Sequence, residues 1–392
     1  MTLRLALSIA GFVSGGLYLL MLAAKTILSL RAAARRPEEA RLDAPVTVLQ
    51  PILGGDPSLR ETLQANLKNA TGFARFVWLV DEEDLAGREA AEPLIRWAAS
   101  PDRVTVVLCP PCPPGINPKL FKLNLALTNV TTEYVAVLDD DTSLFPEHLP
   151  RAIAALTDAD LYTGLPRYSP GVGLWSELVS QFVNNNSVMT YLSLLDWTGP
   201  LTINGMFYVV RTDTLRGWGG FQSILDQLCD DYALARLAQR HGGRIRQGTT
   251  SQLIQTFVDG PRRYVSLMHR WFVFANVLVL DQPFGRRVLL AVWLGLPPLL
   301  LWGSLLCGLG GWPGAAMLGG VLLIRHAVIR GLRRKFLGGP QPVPPLRSLA
   351  AELLQPLHLI HALLSPVIVW RSRRIRVGRG GAFTSLDERA AT

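Results

Sequence analysis

The sequence predicts an α/β domain with a mostly parallel β-sheet, joined to apolar helices near both ends of the chain. Between residues 46 and 165, short apolar runs of strand length alternate with helical patterns, which is typical of parallel sheets. Uncharged stretches long enough to cross a bilayer stand near each end. The 392 residues combine a mean hydropathy of +0.25 with 18% charged residues, so a soluble domain flanked by membrane segments fits both values.

The first apolar stretch, Leu5–Ala24, is about twenty residues long and contains no charge. No small-residue cleavage site follows a short apolar core, so we predict a transmembrane anchor over residues 1–28 rather than a cleaved signal peptide. Only Arg4 precedes the stretch, whereas four basic residues follow it: Lys25, Arg31, Arg35 and Arg36. The positive-inside rule therefore predicts that the domain after the anchor lies on the cytoplasmic face of the membrane.

Residues 45–260 carry the α/β pattern. We predict strands in these apolar runs: Val46–Gly55, which runs into a Pro/Gly loop, Arg75–Val80, Val104–Leu108, Tyr134–Leu138, a run beginning at Leu161, and Ile203–Val210. We predict helices at Asp56–Ala70, Lys119–Thr128, Ala152–Asp158 and Tyr232–Arg240. The range contains neither G-x-G-x-x-G nor G-x-x-x-x-G-K-[ST], which excludes a typical dinucleotide-binding domain and a P-loop enzyme.

Three consecutive carboxylates, Asp139, Asp140 and Asp141, follow the strand Tyr134–Leu138. Adjacent carboxylates at one strand end repel each other unless a cation lies among them, and in an open α/β sheet this edge is where ligands bind. Mg²⁺ or Mn²⁺, held by one or two carboxylates and completed by phosphate oxygens, satisfies both conditions. The alternative is an acidic turn after a core strand.

Other charged residues are candidates for the same edge of the sheet. Asp81 follows the second strand, and the pair Asp230–Asp231 opens the helix Tyr232–Arg240, where acidic residues are ordinarily a capping and dipole feature. Lys119 and Lys122 follow a stiff proline-rich loop, at the start of a predicted helix. A solvated helix face is the commoner explanation for such lysines.

Two amphipathic stretches lie outside the predicted sheet. Gly171–Leu195, which the polar run Asn184–Asn186 interrupts, either packs on the sheet or forms a membrane-facing wall that admits a lipid. Arg262–Val277 carries aromatic and basic residues together. We predict an interfacial amphipathic helix over residues 261–284.

Residues 285–392 form the predicted C-terminal membrane region with a basic tail. Val288–Leu309 is predicted to cross the membrane and Trp312–Ile329 to return. Leu349–Trp370 contains Glu352, two prolines and two histidines, so we predict a re-entrant or interfacial segment that leaves the tail in the cytoplasm. Basic clusters beside these apolar runs, such as Arg325–Lys335, indicate contact with anionic lipid headgroups. The sequence carries no nucleic-acid-binding motif.

Several short motifs, each weak by itself, occur in a specific order and spacing along nearly the whole chain. They are VTVLQPILGGDPSL at Val46–Leu59, Asp81, GINPKLFKLN at Gly115–Asn124, the acidic triplet, TINGM at Thr202–Met206, CDDYALA at Cys229–Ala235, HRW at His269–Trp271 and SPVIVWRSRRIRVGRGG at Ser365–Gly381. This series resembles glycosyltransferase family 21, the ceramide glucosyltransferase family. The resemblance implies the GT-A nucleotide-sugar fold, with three separate aspartates and a (Q/R)xxRW element.

The resemblance assigns roles to the aspartates. Asp81 matches the first family aspartate, expected near the uracil and ribose. Asp139 matches the second, with Asp141 in reach of the same metal ion, and Asp231 matches the third, the expected base. Asp230 is the rival for the base. One base without a carboxylate nucleophile favours single displacement with inversion, so an α-linked UDP-sugar would give a β-glycoside.

The resemblance also covers the basic element. Arg270 and Trp271 match the family's RW, whereas Leu267 stands where the family has Gln or Arg. Lys119, Lys122 and Arg270 are the candidates to assist the diphosphate. We therefore expect Lys119, Arg270 and Trp271 to contribute to donor binding.

These roles imply an integral membrane enzyme with its catalytic domain on the cytoplasmic face. It would use Mg²⁺ or Mn²⁺ and a UDP-sugar, UDP-glucose first among the donors, and would glycosylate the primary hydroxyl of ceramide. One alternative is transfer to another membrane lipid such as a hopanoid or diacylglycerol. Others are a processive polysaccharide synthase, which would normally need more spans, and a non-catalytic membrane scaffold. The sequence sets no oligomeric state.

Overall fold

The computed structural model describes residues 3–36, 40–70, 72–97, 103–338, 342–370 and 373–386. The chain forms two compact units, each built from separate parts of the sequence. The helical unit consists of Met1–Arg35, Pro170–Thr198 and Val258–Ser372. The sheet unit consists of Arg36–Ser169, Gly199–Phe257 and Arg373–Thr392.

The regular elements are numbered in chain order. The described strands are β1 (Val46–Ile52), β2 (Ala74–Asp81), β3 (Val104–Cys109), β4 (Tyr134–Leu138), β5 (Thr142–Ser143), β6 (Leu161–Tyr168), β7 (Phe207–Arg211), β8 (Ile245–Ile254), β9 (Val367–Trp370), β10 (Arg373–Val377) and β11 (Phe383–Ser385). The described α-helices are α1 (Leu3–Ala34), α2 (Leu59–Asn69), α3 (Leu85–Trp97), α4 (Pro118–Leu127), α5 (His148–Ala155), α6 (Leu174–Tyr191), α7 (Leu195–Thr198), α8 (Thr212–Gly217), α9 (Asp230–Arg240), α10 (Pro261–Leu280), α11 (Phe284–Leu290), α12 (Leu296–Ser304), α13 (Gly311–Phe336), α14 (Pro345–Leu353) and α15 (Gln355–Leu364).

An eight-stranded sheet forms the centre of the sheet unit, in the order β3-β2-β1-β4-β7-β6-β8-β5. The neighbours β3, β2, β1 and β4 are parallel, and so are β6 and β8. β7 runs antiparallel between β4 and β6, and the two-residue β5 pairs antiparallel with β8. The carboxyl ends of β1, β2 and β4 therefore meet at one edge, where Asp81 ends β2 and Asp139 follows β4.

Helices cover both faces of this sheet. One face packs against α2, α3 and α5 around buried side chains that include Leu63, Phe76 and Trp78. The other face packs against α4, α8 and α9 around buried side chains that include Leu120 and Phe221. Every residue of β1 and β4 is buried. Burial on both faces explains why these strands are almost continuous apolar runs in the sequence.

The predicted elements of this unit are present, with ends that differ by a few residues. The helix predicted at Ala152–Asp158 runs from His148 to Ala155, and the strand predicted at Ile203–Val210 begins only at Phe207 because Asn204 and Gly205 belong to a loop. Helices α3 and α8, strands β5 and β8, and the antiparallel pair β10–β11 are additional to the prediction.

Helix α1 packs against α12, α13 and the 3₁₀ segment Leu305–Gly310 that joins them. The chain turns at Gly311, which has φ +66°, a conformation that favours glycine. Close packing needs further glycines: Gly314 lies against the carbonyl of Cys307, so a side chain there has no room. α12 and α13 are therefore two helices packed on each other and on α1.

Two segments of the helical unit, Leu3–Ala34 and Phe284–Phe336, are long and apolar enough to cross a membrane by length and composition. The second segment contains both predicted C-terminal crossings, divided at Gly311. The prediction that its basic cluster contacts lipid headgroups is wrong at two positions. Arg325 and Arg333 are each only 2% exposed, because buried polar partners surround them.

Helix α6 runs without interruption through Asn184–Asn186, the polar run that interrupts the amphipathic pattern in the sequence. It packs against α13 and α14 of its own unit. Asn185 donates a hydrogen bond from Nδ2 to Ser348 Oγ at 3.0 Å, and its Oδ1 accepts one from Arg333 Nη1 at 3.2 Å. The polar run therefore meets buried polar partners and does not end the helix.

The segment predicted to be re-entrant or interfacial, Leu349–Trp370, contains the end of α14, all of α15 and β9. α15 packs against α10, where Tyr264 Oη and His358 Nε2 lie 3.1 Å apart. In the basic tail, Arg371 and Ser372 lie outside the described residues. β10 and β11 form an antiparallel pair that belongs to the sheet unit.

Candidate active site

The acidic turn after β4 is fixed through its backbone. Asp139 N–H donates to Met206 O at 2.9 Å, and Gln50 Nε2 donates to Asp139 O at 3.3 Å. Gln50 is fully buried in β1, and its Oε1 accepts a hydrogen bond from Trp78 Nε1 at 3.0 Å. A buried polar side chain thus fixes where the turn leaves the sheet.

Asn66 of α2 holds the end of the same turn. Its Nδ2 donates to Thr142 O at 2.9 Å, and its Oδ1 accepts from Leu144 N–H at 2.7 Å. Asn66 is buried, so both bonds satisfy backbone groups that would be costly to leave unpaired. The turn that carries the three aspartates is therefore held on both sides.

Lys119 lies between two carboxylates from different parts of the chain. Its Nζ is 2.7 Å from Asp139 Oδ1 and 3.0 Å from Asp230 Oδ2, and it donates to Gly205 O at 3.1 Å. Burial lowers the pKa of Lys119, but the two carboxylates outweigh this effect and raise the pKa well above its usual value. Lys119 is therefore part of the site, and the solvated-face explanation does not apply to it.

Asn117 determines the position of Lys119. Its Oδ1 caps α4 and accepts the N–H of Lys119 at 3.0 Å. Its Nδ2 donates to Gln227 O at 3.0 Å and to Leu228 O at 3.2 Å. One side chain therefore ties the start of α4 to the segment that leads into Asp230.

Lys122, one turn further along α4, is paired with Asp81. Its Nζ donates to Asp81 Oδ2 at 3.1 Å and to Ile52 O at 2.9 Å. The Lys122 side chain is only 1% exposed, so it too is not on a solvated helix face. The pair joins the carboxyl ends of β1 and β2, and the contact of Asp81 with a nucleoside stays a prediction.

Asp231 differs from its neighbour Asp230 because it forms no ion pair with any described residue. Its Oδ1 accepts hydrogen bonds from Tyr232 N–H at 2.7 Å and from the Cys229 thiol at 2.9 Å. Burial, and then the charge of Asp230, raise the pKa of Asp231 to about 6. A carboxylate that titrates near the working pH is suited to accept a proton from a reacting group.

The loop Thr202–Met206 packs beside Asp231. A Cβ atom on Gly205 would lie 3.0 Å from Asp231 Cβ, so glycine permits this approach. The adjacent Asn204 donates from its backbone N–H to Thr163 Oγ1 at 2.9 Å, and its side chain is hydrogen-bonded to Gln252. The loop therefore limits the positions that Asp231 can adopt.

The other two members of the acidic triplet have different partners. Asp140 Oδ2 accepts the N–H of Leu53 at 2.7 Å, and burial raises the pKa of Asp140 to about 6. Asp141 accepts hydrogen bonds from the hydroxyls of Thr142 at 3.2 Å and Thr256 at 3.4 Å. Burial, followed by the charges of the two preceding aspartates, raises the pKa of Asp141 well above its usual value. This repulsion favours binding of a cation.

The predicted metal ligands, Asp139 and Asp141, fit a hard divalent cation by their chemistry. Both are carboxylates at the ligand-binding edge, and Asp141 has no ion-pair partner among the described residues. Within the same part of the chain, no group of three or more His, Cys, Asp or Glu side chains is arranged to hold a metal ion. Mg²⁺ sites completed by phosphate oxygens need only one or two carboxylates, so the pair is sufficient for such a site.

Arg270 and Trp271 lie on α10 of the helical unit. Trp271 stacks with Phe182, with ring centroids 6.1 Å apart, and the adjacent His269 Nε2 is hydrogen-bonded to Ser365 O at 2.9 Å. These contacts hold α10 within its own unit. The contact of Arg270 and Trp271 with a diphosphate stays a prediction, as does the effect of Leu267.

Sequence reasoning did not single out Gln50, Asn66 or Asn117. Only Asn117 has a local signal, because Asn followed by Pro is typical of a helix start with a capping side chain. Gln50 and Asn66 are polar residues in otherwise buried positions, and their partners lie elsewhere in the chain. Their roles become visible only in three dimensions.

The fold and the candidate site together form an α/β domain with acidic side chains at the carboxyl edge of its sheet. A sequence model described as glycosyl transferase family 21 matches residues 7–383, and the chain belongs to this family. It is therefore a sugar-transferring enzyme. The predicted α/β fold with a mostly parallel sheet is confirmed.

Individual relatives are distant. Ceramide glucosyltransferase 1 of Caenorhabditis elegans is 23% identical over 345 residues, which cover 86% of this chain and 72% of the relative. Among solved structures, mannosyltransferase PcManGT of Pyrobaculum calidifontis with GDP-Man and Mn²⁺ has a TM-score of 0.47 and 16% identity, covering 91% of this chain and 98% of that one. TarS 1–349 of S. aureus with UDP-GlcNAc has a TM-score of 0.41 and 13% identity, covering 86% and 98%.

Proposed function

We propose that this chain is an inverting membrane glycosyltransferase that forms a β-glycosylceramide. It transfers a sugar from a UDP-sugar to the primary hydroxyl of ceramide, and glucose is the sugar that we propose. The family membership and the C. elegans relative, a ceramide glucosyltransferase, support this acceptor. The two helical segments long and apolar enough to cross a membrane support a lipid substrate.

The observation that carries the proposal is the different bonding of Asp230 and Asp231. Asp230 is paired with Lys119 at 3.0 Å. Asp231 has no such pair among the described residues, and burial and Asp230 raise its pKa to about 6. A carboxylate in this state accepts a proton near neutral pH. Asp231 is therefore the proposed base, and Asp230 the residue that holds Lys119.

In the proposed reaction, Asp231 takes the proton of the acceptor hydroxyl as that oxygen attacks the anomeric carbon. The bond between the anomeric carbon and the UDP oxygen breaks, and UDP leaves with the electron pair. A single displacement of this kind inverts the configuration, so an α-linked donor gives a β-glycoside.

The donor side of the site follows the family pattern. Asp139 and Asp141 would hold Mg²⁺ or Mn²⁺, which when bound would neutralise charge on the diphosphate leaving group. Lys119 holds Asp139 in position, Asp81 binds the nucleoside, and Arg270 and Trp271 contact the diphosphate. The acceptor is a bilayer lipid, and the basic residues that follow the apolar stretch Leu5–Ala24 favour the cytoplasmic face as the location of the sheet unit.

The test uses the full chain in liposomes that contain ceramide, with a panel of labelled UDP-sugars, each with and without a chelator. The expected result is a β-glycosylceramide that forms with one preferred donor and disappears with the chelator. Matched liposomes with diacylglycerol in place of ceramide control for the acceptor. Hydrolysis of the donor without a ceramide product would contradict the acceptor, and turnover that persists in the chelator would contradict the metal.

Of the alternatives that the sequence left open, one is excluded and the other two can be distinguished by the same assay. Family membership makes the chain an enzyme, so the non-catalytic scaffold is excluded. Transfer to a hopanoid or diacylglycerol would use the same residues. A comparison of these acceptor lipids with ceramide would distinguish it. A processive synthase would give products longer than one sugar in the same assay.

A further inference from the structure

A cavity in the helical unit is lined by none of the residues assigned to the proposed reaction. The space between its walls measures about 430 Å³ and includes volume open to the outside, and its closed part has room for a group of about the size of one water molecule. Its apolar wall is formed by Leu22, Met189, Leu294, Pro297, Pro298 and Ile329. Polar side chains also line it, and they differ in whether protein partners satisfy them.

One set of lining groups is satisfied within the protein. Glu352 accepts hydrogen bonds from Tyr18 Oη at 3.1 Å and from Arg325 Nε at 2.7 Å. Asn186 Nδ2 donates to Phe182 O at 2.7 Å. These groups form the polar side of the cavity and need no ligand.

Two side chains that line the cavity carry hydrogen-bond donors that the protein does not fully satisfy. Gln355 is 9% exposed, and its buried Nε2 atom has no hydrogen-bond partner among the described residues. Lys25 is 7% exposed, and its ammonium, which has three N–H donors, bonds to Trp293 O at 3.2 Å. Within the described part of the chain, Lys25 forms no ion pair. Buried donors of this kind are costly unless something supplies an acceptor.

We propose that this cavity binds the polar head of an amphipathic lipid through an acyl carbonyl oxygen. The carbonyl oxygen has two lone pairs, which suit the donors of Gln355 and Lys25. The carbonyl oxygen fits the closed part of the cavity, and the first methylene groups of the chain would lie in the open part along the apolar wall. The charge of Glu352, which lines the same cavity, is paired with Arg325, so a neutral acceptor such as a carbonyl oxygen is sufficient for the remaining donors of Gln355 and Lys25.

Two kinds of lipid share this chemistry. Ceramide has an amide carbonyl, and bilayer glycerolipids have ester carbonyls. If the ligand is ceramide, the cavity is a subsite for the acceptor, and only this assignment rests on the proposed function. If the ligand is a glycerolipid, the cavity is a site for a lipid of the surrounding bilayer.

The first test compares two probes that differ only in the carbonyl, dioctanoylglycerol and the corresponding dioctyl ether. Equilibrium binding is measured with the full chain in detergent. We expect the ester to bind roughly threefold to tenfold more tightly, the effect of one hydrogen bond. Gln355→Met keeps the side-chain size and removes the donor, so the ester should lose most of this advantage. Equal binding of both probes to the unaltered protein would overturn the proposal.

The second test fills the cavity. Leu22→Trp adds volume at the apolar wall and should weaken both probes by at least tenfold. Leu20→Trp is the matched control, because Leu20 lies on the same helix and is 66% exposed. Melting in detergent checks that each variant is folded. An equal loss in both variants, or in neither, would overturn the proposal.

The third test identifies the source of the carbonyl with a short-chain ceramide and a short-chain phosphatidylcholine. Ceramide binding that Gln355→Met weakens supports an acceptor subsite. Phosphatidylcholine binding that the same substitution weakens supports a bilayer-lipid site. Binding of neither probe overturns the proposal. None of these measurements needs a donor or turnover, so a failure of the proposed transfer activity remains distinguishable.

Discussion

The ammonium of Lys119 lies 2.7 Å from Asp139 Oδ1, which is one of the two predicted metal ligands. The same ammonium pairs with Asp230, next to the proposed base. Lys119 therefore joins a predicted metal ligand to the residue beside the proposed base. A divalent cation at Asp139 would share this carboxylate with Lys119.

Replacement of the proposed ligands tests the metal site. Asp139→Asn should weaken Mn²⁺ binding in the presence of UDP by at least roughly tenfold, because one carboxylate charge is lost. Asp140→Asn is the matched control, since Asp140 accepts the Leu53 N–H at 2.7 Å. Titration calorimetry with Mn²⁺ measures both. Equal weakening by both substitutions would contradict the assignment of Asp139 and Asp141.

The pKa of Asp231 predicts the pH dependence of turnover. Burial and the charge of Asp230 raise this pKa to about 6. Below that pH the carboxyl is protonated and cannot accept the hydroxyl proton, so kcat should fall about tenfold per pH unit and level off above it. A kcat profile between about pH 5 and 8 measures this. Asp140→Asn should leave the midpoint of the kcat profile unchanged. A midpoint that shifts in this variant would show that Asp140, and not Asp231, is the group that titrates.

The cap at Asn117 should contribute to stability as well as to the site. Asn117→Ala removes the cap of α4 and both Nδ2 hydrogen bonds, so we expect the free energy of unfolding to fall by about 1–2 kcal/mol. Asn124→Ala, on the same helix, removes one exposed bond to Gln222 and should stay within about 0.5 kcal/mol. Denaturant unfolding in detergent compares the two. Equal losses would show that Asn117 is not a special position.

The buried ion pair Arg325–Glu352 should be important for the helical unit. Its Nε–Oε2 distance is 2.7 Å, and the two side chains are 2% and 12% exposed. Arg325→Met leaves the Glu352 charge buried without its partner, so we expect a loss of about 3–5 kcal/mol. Arg330→Met, at an exposed position on the same helix, is the control. Thermal unfolding in detergent should separate them, and similar melting of both variants would contradict this account.

The sequence was sufficient for elements with strong local signals. The apolar run Tyr134–Leu138 and the carboxylates after it predict a buried strand with an acidic end, and both are present. Strand β8 is harder, because Ile245–Ile254 is largely polar and depends on its pairing with β6. Helix α3 contains Pro93, which weakens its helical pattern. Long-range packing decides these two elements.

Among the polar residues too, some roles follow from local sequence signals and others depend on long-range contacts. The aspartates of the site were found from the sheet-edge rule and the family pattern, but the pairing of Lys119 with Asp230 joins distant parts of the chain. Asn184–Asn186 lowers helix propensity, yet the tertiary contacts of Asn185 outweigh it. Arg325 resembles a headgroup-facing residue in the sequence until its buried partner Glu352 is known.

The most direct test of the central claim is kcat for Asp231→Asn beside Asp230→Asn, with ceramide and the preferred UDP-sugar. Loss of the base should lower kcat by about 10²–10⁴-fold in Asp231→Asn, with binding of the UDP-sugar little changed. Asp230→Asn should have a smaller effect on kcat, because Lys119 keeps its contact with Asp139. An Asp231→Asn protein that is folded and retains its kcat, or a larger loss in Asp230→Asn, would contradict the assignment of Asp231 as the base.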